Sequence, residues 1–453
     1  MRSKPFAIVI IVLVLAALAC NLPGSETPDP HAISTNVAAT LTALAGGPIG
    51  GGPGETGTPT LTPDVAESTD TPTATATIPA PPHLRVVYVL GGNVYIKDAA
   101  AAPAQITFAG NAEDVRISDD GQKVAYTRRD VAEAPASLGV VNSDGLGDSI
   151  VVTGAQINAL YPLGDALYHD ISDLKFIPGT HHLLMNTREA FMGPGLQKNN
   201  DVLMADLDAG TFVTLLAPPN GGDFYPSPDG TKMAIVRPDS VSLANIDGSG
   251  YTANIISFTF ILTYSEYAYY PPVVWQSDSS QAGVIIPSAE SLPPTGPSAI
   301  WRINPAAGTA SAVASISGQF MFPHAILSPD LLHYSYSVPI TDATSALYVA
   351  NTADASSLHL ADGGNQSVVS FSPDGSWFIY NMGGPTTYYI GSLGGGTALI
   401  GPRVIDPIWI NATHFVYLFR NTGVWSINLG GSDGSSTVLA SGAGEMFAFD
   451  ADE

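Results

Sequence analysis

Four aspartates and one histidine recur at the same place in a repeated pattern of this sequence, four residues before a predicted turn. They are Asp114, Asp173, Asp223, Asp406 and His324. Carboxylates brought together raise one another's pKa and attract cations, so this set predicts a surface that binds a cation or a basic peptide. Short polar side chains also bond neighbouring backbone N–H groups, and each aspartate would then cap its own loop. The sequence leaves both interpretations open.

Larger side chains stand two places further along the same pattern and would line the same surface, namely Arg116, Lys175 and Tyr225. Together with the four aspartates and the histidine, they form the predicted binding site. No catalytic residue, metal ligand set or cofactor is predicted.

A match to a catalytic motif occurs at 430–434, where Gly-Gly-Ser-Asp-Gly has the G-x-S-x-G pattern of hydrolase nucleophile elbows. That motif needs a strand before it and a helix after it. Strand-like residues stand on both sides here, so the segment predicts a hairpin turn. The adjacent His181 and His182 would point to opposite faces of a strand and could not share one metal ion. We therefore expect no enzyme activity.

A repeat of about 40 to 50 residues positions these side chains. Its clearest copies are DVRISDDGQKVAYT (114–127), DFYPSPDGTKMAIV (223–236) and SVVSFSPDGSWFIY (367–380). Less regular copies span 173–186, 273–286, 324–337 and 406–419. Each copy is an apolar stretch, a turn and a second apolar stretch, and two more strand-like segments follow it. Four short strands per unit are the signature of a propeller blade.

The two ends of the repeat region would complete one more blade. Residues 84–90, 93–99 and 104–110 read as strands two, three and four, and Phe449–Glu453 falls on the register of a first turn. A C-terminal strand would pair with 84–90, close the ring and leave no free sheet edge. We expect an all-β propeller of eight four-stranded blades. Seven is the alternative, should one weak unit be irregular.

The Ser-Pro-Asp-Gly turns at 227–230 and 372–375 have a local cause. Proline presets φ, aspartate bonds backbone N–H groups and glycine accepts a positive φ. These turns resemble the WD40-like (PD40) repeats of TolB-type propellers, and the resemblance covers residues 84–453. It implies the fold and leaves the function open, because such blades serve binding proteins and accessory domains alike.

Charge narrows the choice of partners. The 453 residues include 16 Lys+Arg against 40 Asp+Glu, a formal net charge of −24. Such a surface repels nucleic acid and anionic lipid headgroups and favours cations or basic partners. An insertion at about 128–171 is expected either to bind a partner or to pack over its blade.

The N-terminal residues 1–20 read as an export signal, with Arg2 and Lys4 before an apolar run and small residues before Cys20. The segment resembles a bacterial lipoprotein signal with the lipobox Ala17-Leu18-Ala19-Cys20. The resemblance implies that Cys20 carries the lipid. Residues 21–83 are rich in Thr, Pro and Gly, which predicts a disordered linker before the propeller at 84–453.

These features predict a monomeric, non-enzymatic binding propeller, anchored by lipid on the outer face of the cytoplasmic membrane. Its partner would be a protein, a peptide or a cell-envelope component, and it would touch the membrane through the lipid alone. Two alternatives stay open. One is an extracytoplasmic hydrolase or lyase with its site in the channel, and the other is a structural component of an envelope complex.

Replacing Cys20 with Ser is expected to release the protein from membranes or to leave it as unprocessed precursor, because the thiol is the only site for a thioether lipid. Fractionation of membranes beside the wild type measures this. A variant that is processed and fractionates like the wild type would contradict lipidation.

Overall fold

The structure, a computed structural model, describes residues 80–81, 83–98, 101–192, 196–264, 267–288, 297–316, 325–341, 343–364, 366–382 and 387–452. The predicted signal, most of the predicted linker and His324 lie outside the described residues. Within the described part of the chain, no helix is long and apolar enough to cross a membrane.

Strands dominate the described chain, with one short helix, α1, at Gly154–Asn158. In chain order the strands are β1 Arg85–Leu90, β2 Asn93–Asp98, β3 Ala104–Gln105, β4 Ala112–Ile117, β5 Lys123–Arg128, β6 Ser137–Asn142, β7 Ser149–Val152, β8 Tyr168–Phe176, β9 His182–Ala190, β10 Leu196–Lys198, β11 Val202–Asp206, β12 Thr211–Leu216, β13 Asp223–Pro226, β14 Lys232–Arg237, β15 Ser240–Asn245, β16 Thr252–Ser257, β17 Leu262–Tyr264, β18 Tyr267–Ala268, β19 Val273–Trp275, β20 Ala282–Ile286, β21 Ser298–Asn304, β22 Thr309–Ile316, β23 His333–Thr341, β24 Thr344–Asn351, β25 Ser357–Gly363, β26 Val368–Phe371, β27 Trp377–Asn381, β28 Thr387–Ser392, β29 Thr397–Pro402, β30 Val404–Trp409, β31 His414–Asn421, β32 Val424–Gly431, β33 Ser436–Ala443 and β34 Met446–Asp452.

The strands form an eight-bladed propeller, as the sequence predicts. From the innermost strand outward, the blades are blade 1 (β34-β1-β2-β3), blade 2 (β4 to β7), blade 3 (β8-β9-β11-β12), blade 4 (β13 to β16), blade 5 (β19 to β22), blade 6 (β23 to β25), blade 7 (β26 to β29) and blade 8 (β30 to β33). Among the described residues, the innermost position of blade 6 shows one bridge, between Leu327 and Tyr334. Strand β10 adds to β9, and β17 with β18 forms a separate hairpin.

Burial on both faces explains the apolar middle strands. In β14, all four residues from Met233 to Val236 are buried, because a neighbouring blade covers each face of the sheet. One apolar cluster joins Val87 and Val89 of blade 1 to Val115 and Val124 of blade 2. Each blade thus buries its apolar surface only against its two neighbours, as in other repeat folds.

The repeated turn is held by a buried serine hydroxyl. The Oγ atom accepts a hydrogen bond from the N–H five residues later, at 2.9 to 3.0 Å, and donates to the aspartate two residues later in the turns of Ser118, Ser227, Ser328 and Ser372. These serines are fully buried. The residue after the aspartate has a positive φ, +66° at Gly230, and Leu331 takes this conformation in blade 6.

Blade 1 is closed by the C-terminal strand, as predicted. Strand β34 pairs with β1 in antiparallel register, with Tyr88 opposite Phe449 and Arg85 opposite Asp452. The residues after Phe449 were expected to form a turn. They continue as strand instead, because Asp450–Asp452 lacks the glycine that the turn needs and pairs with β1.

The predicted outer strand at 104–110 is shorter than expected. Only Ala104–Gln105 pairs as a strand, because the Oγ1 atom of Thr107 accepts the N–H of Val94 at 2.8 Å and the chain then turns at Gly110.

Strand direction divides the loops between two faces. We call the side where the innermost strands begin the mouth face, and the side with the serine turns the turn face. Since successive strands are antiparallel, loops between second and third strands and loops between blades lie on the mouth face. Helix α1, strand β10, the β17–β18 hairpin and the long β23–β24 hairpin lie there as additions to the plain blade.

Deleting residues 446–453 is expected to lower the free energy of unfolding by several kcal/mol and to promote aggregation. The deletion removes the buried side chains of Met446 and Phe449 and exposes the edge of β1. Thermal melting and light scattering measure both effects. The control is Val438→Ser, an exposed position in blade 8. A truncated chain that melts and stays soluble like the control would mean that β34 does not hold the ring.

Candidate functional site

The predicted aspartates lie on innermost strands of four blades at the mouth face: Asp114 on β4, Asp173 on β8, Asp223 on β13 and Asp406 on β30. Asp173 and Asp406 have φ of +43° and +45°, at places where the pairing of their strands is interrupted by a bulge. Left-handed backbone is uncommon outside glycine, although aspartate tolerates it better than most residues. A bulge re-aims a side chain out of the regular alternation of the strand.

Asp173 and Asp223 are joined by a lysine that the sequence analysis did not single out. Lys198 Nζ lies 3.0 Å from Asp173 Oδ2 and also bonds Asp223 Oδ1, and it lies 5.0 Å from the centre of the Tyr270 ring. Lys198 belongs to β10, outside the repeated strands, so no repeat position indicated it. Two blades are therefore bridged by one ammonium group.

Lys175 and Tyr225 meet beside this bridge, as their shared repeat position predicts. Lys175 Nζ lies 4.3 Å from the centre of the Tyr225 ring and donates a hydrogen bond of 3.1 Å to the carbonyl of Phe224. The side chain of Lys175 remains accessible to water, although neighbouring blades surround it. Desolvation by these blades lowers its pKa.

The expectation that the aspartates raise one another's pKa is wrong for Asp173. Partial burial alone would raise the pKa of Asp173, but the ammonium group of Lys198 outweighs burial and lowers it. Burial raises the pKa of the less accessible Asp223, and the charge of Asp173 raises it further, as expected of neighbouring carboxylates, although Lys198 opposes both. Among the described residues, no three His, Cys, Asp or Glu side chains lie close enough to share a metal ion. The mouth is thus a surface of paired charges rather than a ring of repelling carboxylates.

Asp114 shows the capping role instead. Its Oδ1 atom accepts the N–H of Val115 at 2.8 Å and also accepts a bond of 2.7 Å from Arg116. The same guanidinium donates through Nε to the carbonyl of Leu174, at 3.2 Å, and so connects blade 2 to blade 3.

A cleft of about 570 Å³ opens between blades 8, 1 and 2. It brings together two predicted site aspartates, the predicted Arg116 and two further charged residues that were not predicted as site members. Its charged lining consists of Asp114, Arg116, Asp406, Arg420 and Asp450. Its apolar lining consists of Ile405, Ile408, Leu418, Ala448 and Phe449. Asp173, Lys175, Asp223 and Tyr225 do not line this cleft.

Asp450 is held in the cleft by the closing strand. Its Oδ2 atom accepts the N–H of Ile117 at 3.0 Å. Burial raises the pKa of Asp450 to about 6, against the opposing effect of Arg116. A carboxyl group with so altered a pKa in a cleft is a candidate functional group.

Other predicted features have structural roles. Residues 430–434 span the end of β32 and the hairpin turn that leads to β33, as predicted. His181 bonds Asp208 at 2.8 Å and Asp120 of the preceding blade at 3.0 Å, whereas His182 faces Asp206. In the insertion, α1 buries Ile157 in the apolar cluster of blades 2 and 3, which is the packing role that the sequence allowed.

No protein-family model matches the chain, and no curated protein matches it in sequence. Similar solved structures include TolB from Acinetobacter baumannii, at 14% identity over 82% of this chain and 83% of that one, with a TM-score of 0.37. They also include an oligogalacturonate lyase in complex with manganese, at 13% identity over 70% and 90% of the two chains, with a TM-score of 0.41. The propeller domain of the trilobed protease from Pyrococcus furiosus matches at 14% identity over 60% and 83%, also with a TM-score of 0.41. Similarities this distant carry no inference about a ligand or a reaction.

Replacing Asp450 with Asn is expected to stabilise the protein at pH 8 by up to about 3 kcal/mol and to have little effect at pH 4. The folded chain binds the proton of Asp450 more tightly than the unfolded chain does. The contribution of this carboxyl group to stability is therefore present below about pH 4 and is lost as the pH rises through 6. Denaturant unfolding at both pH values, with the exposed Asp165→Asn as control, measures the difference. An equal effect at both pH values would contradict the raised pKa.

Proposed function

We propose that this protein is a non-enzymatic binding propeller that recruits a partner protein through its mouth face. A lipid on Cys20 would tether it outside the cytoplasmic membrane. The observation that supports recruitment most directly is the uneven placement of exposed apolar side chains on the described blades.

Eight of the large apolar side chains that are exposed in the described chain lie on mouth-face loops and hairpins. They are Phe108, Val131, Leu167, Met192, Phe260, Val338, Ile340 and Val424. Met192 and Phe108 are 89% and 77% exposed. The turn face carries only Leu146 and Leu332 among the described residues of this kind, and the others lie singly on outer strands.

Water-exposed apolar side chains on projecting loops favour a protein partner over a small ion. Protein interfaces typically combine buried apolar anchors with a polar region, and a few anchors carry most of the binding energy. The mouth face offers both kinds of group, because the paired charges around Lys198 lie on the same face as these loops. The repeated strands themselves present serine turns and apolar cores, which serve folding.

One observation favours the enzymatic alternative. The raised pKa of Asp450 would suit a general acid in a channel-mouth site. The Arg116 guanidinium is paired with Asp114, and among the described residues neither Asp406 nor Arg420, which line the same cleft, is hydrogen-bonded to Asp450. Binding therefore remains the better-supported function.

The triple variant Phe108→Ser, Phe260→Ser and Ile340→Ser is expected to lose a partner that the wild type captures from envelope extract. The matched control is Leu146→Ser with Leu332→Ser on the turn face. Exposed substitutions of this kind change stability by about 0.5 kcal/mol or less, so both variants should fold. The measurement is the amount of recurrent partner retained by the detergent-solubilised full chain.

If the mouth-face variant retained the partner and the turn-face control lost it, the partner would bind the turn face, which would contradict the proposal. Turnover of a substrate in a broad hydrolase and lyase screen, abolished by Asp450→Asn, would favour the enzymatic alternative instead. A partner lost from both variants would indicate assembly into a larger envelope complex around the ring.

A further inference from the structure

The cleft between blades 8, 1 and 2 carries one fixed charge of each sign that the protein leaves unpaired. The Arg420 guanidinium and the Asp406 carboxylate both line the cleft, and both residues are exposed. Within the described residues, neither side chain makes a hydrogen bond or an ion pair. The other cationic group of the cleft, Arg116, is already paired with Asp114 at 2.7 Å.

The backbone of Asp406 shows that its position is constrained. Its φ of +45° coincides with the bulge that interrupts pairing between Ile405 and Ile408. Residues in sparsely populated conformations persist where the surrounding structure holds them, and they cluster at binding sites. The bulge takes Asp406 out of the regular alternation of β30 and leaves its carboxylate in the cleft.

Apolar side chains lie with these two charges. Ile408, Leu418 and Phe449 line the same cleft, and its volume of about 570 Å³ is within the usual range for a site that binds a small molecule. A simple cation would leave Arg420 unpaired, and a simple anion would leave Asp406 unpaired. A ligand that carries both charges and an apolar body would pair with Arg420, pair with Asp406 and contact the apolar lining.

We propose that this cleft binds a short peptide with free ends, whose carboxylate pairs with Arg420 and whose ammonium group pairs with Asp406. This inference rests on the proposed function, since it names a ligand class for the same mouth face. The peptide would contact β30, β31 and the closing strand β34 at once. Because a ligand that binds only the closed ring stabilises it, peptide binding would also raise the melting temperature.

Calorimetric titration of the full chain with tri-alanine tests the proposal, beside its N-acetylated, C-amidated and doubly blocked forms. Tri-alanine is expected to bind, and each single block is expected to weaken binding about tenfold or more, as for other hydrogen bonds to charged groups. Arg420→Gln and Asp406→Asn should each have a similar effect. Asparagine also tolerates left-handed backbone, so the second variant keeps the bulge.

The two variants also test the orientation of the peptide. In Arg420→Gln, amidating the peptide should not weaken binding any further. In Asp406→Asn, the same should hold for acetylating it, because the variant has already removed the ion pair in each case. The matched control is Arg403→Gln, an exposed arginine in the turn before β30 that bonds Asn421 and does not line the cleft, and it should bind as the wild type does.

The proposal would be overturned if tri-alanine did not bind, or if the doubly blocked peptide bound equally well. It would also be overturned if the loss of affinity in each variant and the loss caused by the matching block added in full. Partner capture by the apolar loops is measured separately. A captured partner with an unresponsive cleft would overturn only the peptide site. Peptide binding without capture of any protein would overturn the recruitment of a folded partner and leave the cleft assignment intact.

Discussion

The backbone pairing between β34 and β1 is the constraint on which the candidate site depends. Each blade packs only against its two neighbours, so the seam at blade 1 is where the first and last parts of the ring meet. The same strand that closes this seam carries Phe449 and Asp450 into the cleft and places Asp450 beside the N–H of Ile117. Ring closure and site formation are thus one event. This explains why the charged lining of the cleft comes from both ends of the repeat region.

Features that repeat locally were predictable from the sequence. In the four serine turns, a serine, an aspartate and a positive-φ residue at fixed offsets build the turn locally, as the hydroxyl of Ser227 shows by bonding only groups within five residues. The closing strand was predictable because residues 84–90, 93–99 and 104–110 read as strands two, three and four of a blade that lacks its first strand. Blade 6 needed tertiary information, since Leu331 replaces the usual glycine and the described part of the innermost strand pairs through one bridge.

The basic residues Lys198 and Arg420 were not predictable as members of the site, because neither holds a common repeat position. Lys198 lies on an added strand, and Arg420 lies near the end of a second strand, where no periodic signal marks it. The contacts of a long, flexible side chain depend on which residues of other blades lie near it, and the sequence alone does not give this. Asp173 and Asp223 lie at the mouth face as predicted. The predicted rise in pKa holds for Asp223 and is outweighed by Lys198 at Asp173. Lysine and arginine side chains at the mouth face partly neutralise its aspartates. Complementary charges between this face and a partner would contribute to the specificity of binding more than to its affinity.

Under the proposed function, the partner binds the mouth face and not the turn face. Photo-cross-linking in living cells tests it directly, with a photoreactive amino acid placed singly at Met192, Phe260 or Ile340 and, for comparison, at Leu146 or Leu332. These positions are all exposed, so the substitutions leave the packed blades intact. A shared protein adduct is expected from the mouth-face positions and none from the turn-face positions. Adducts from the turn-face positions alone would contradict the proposal.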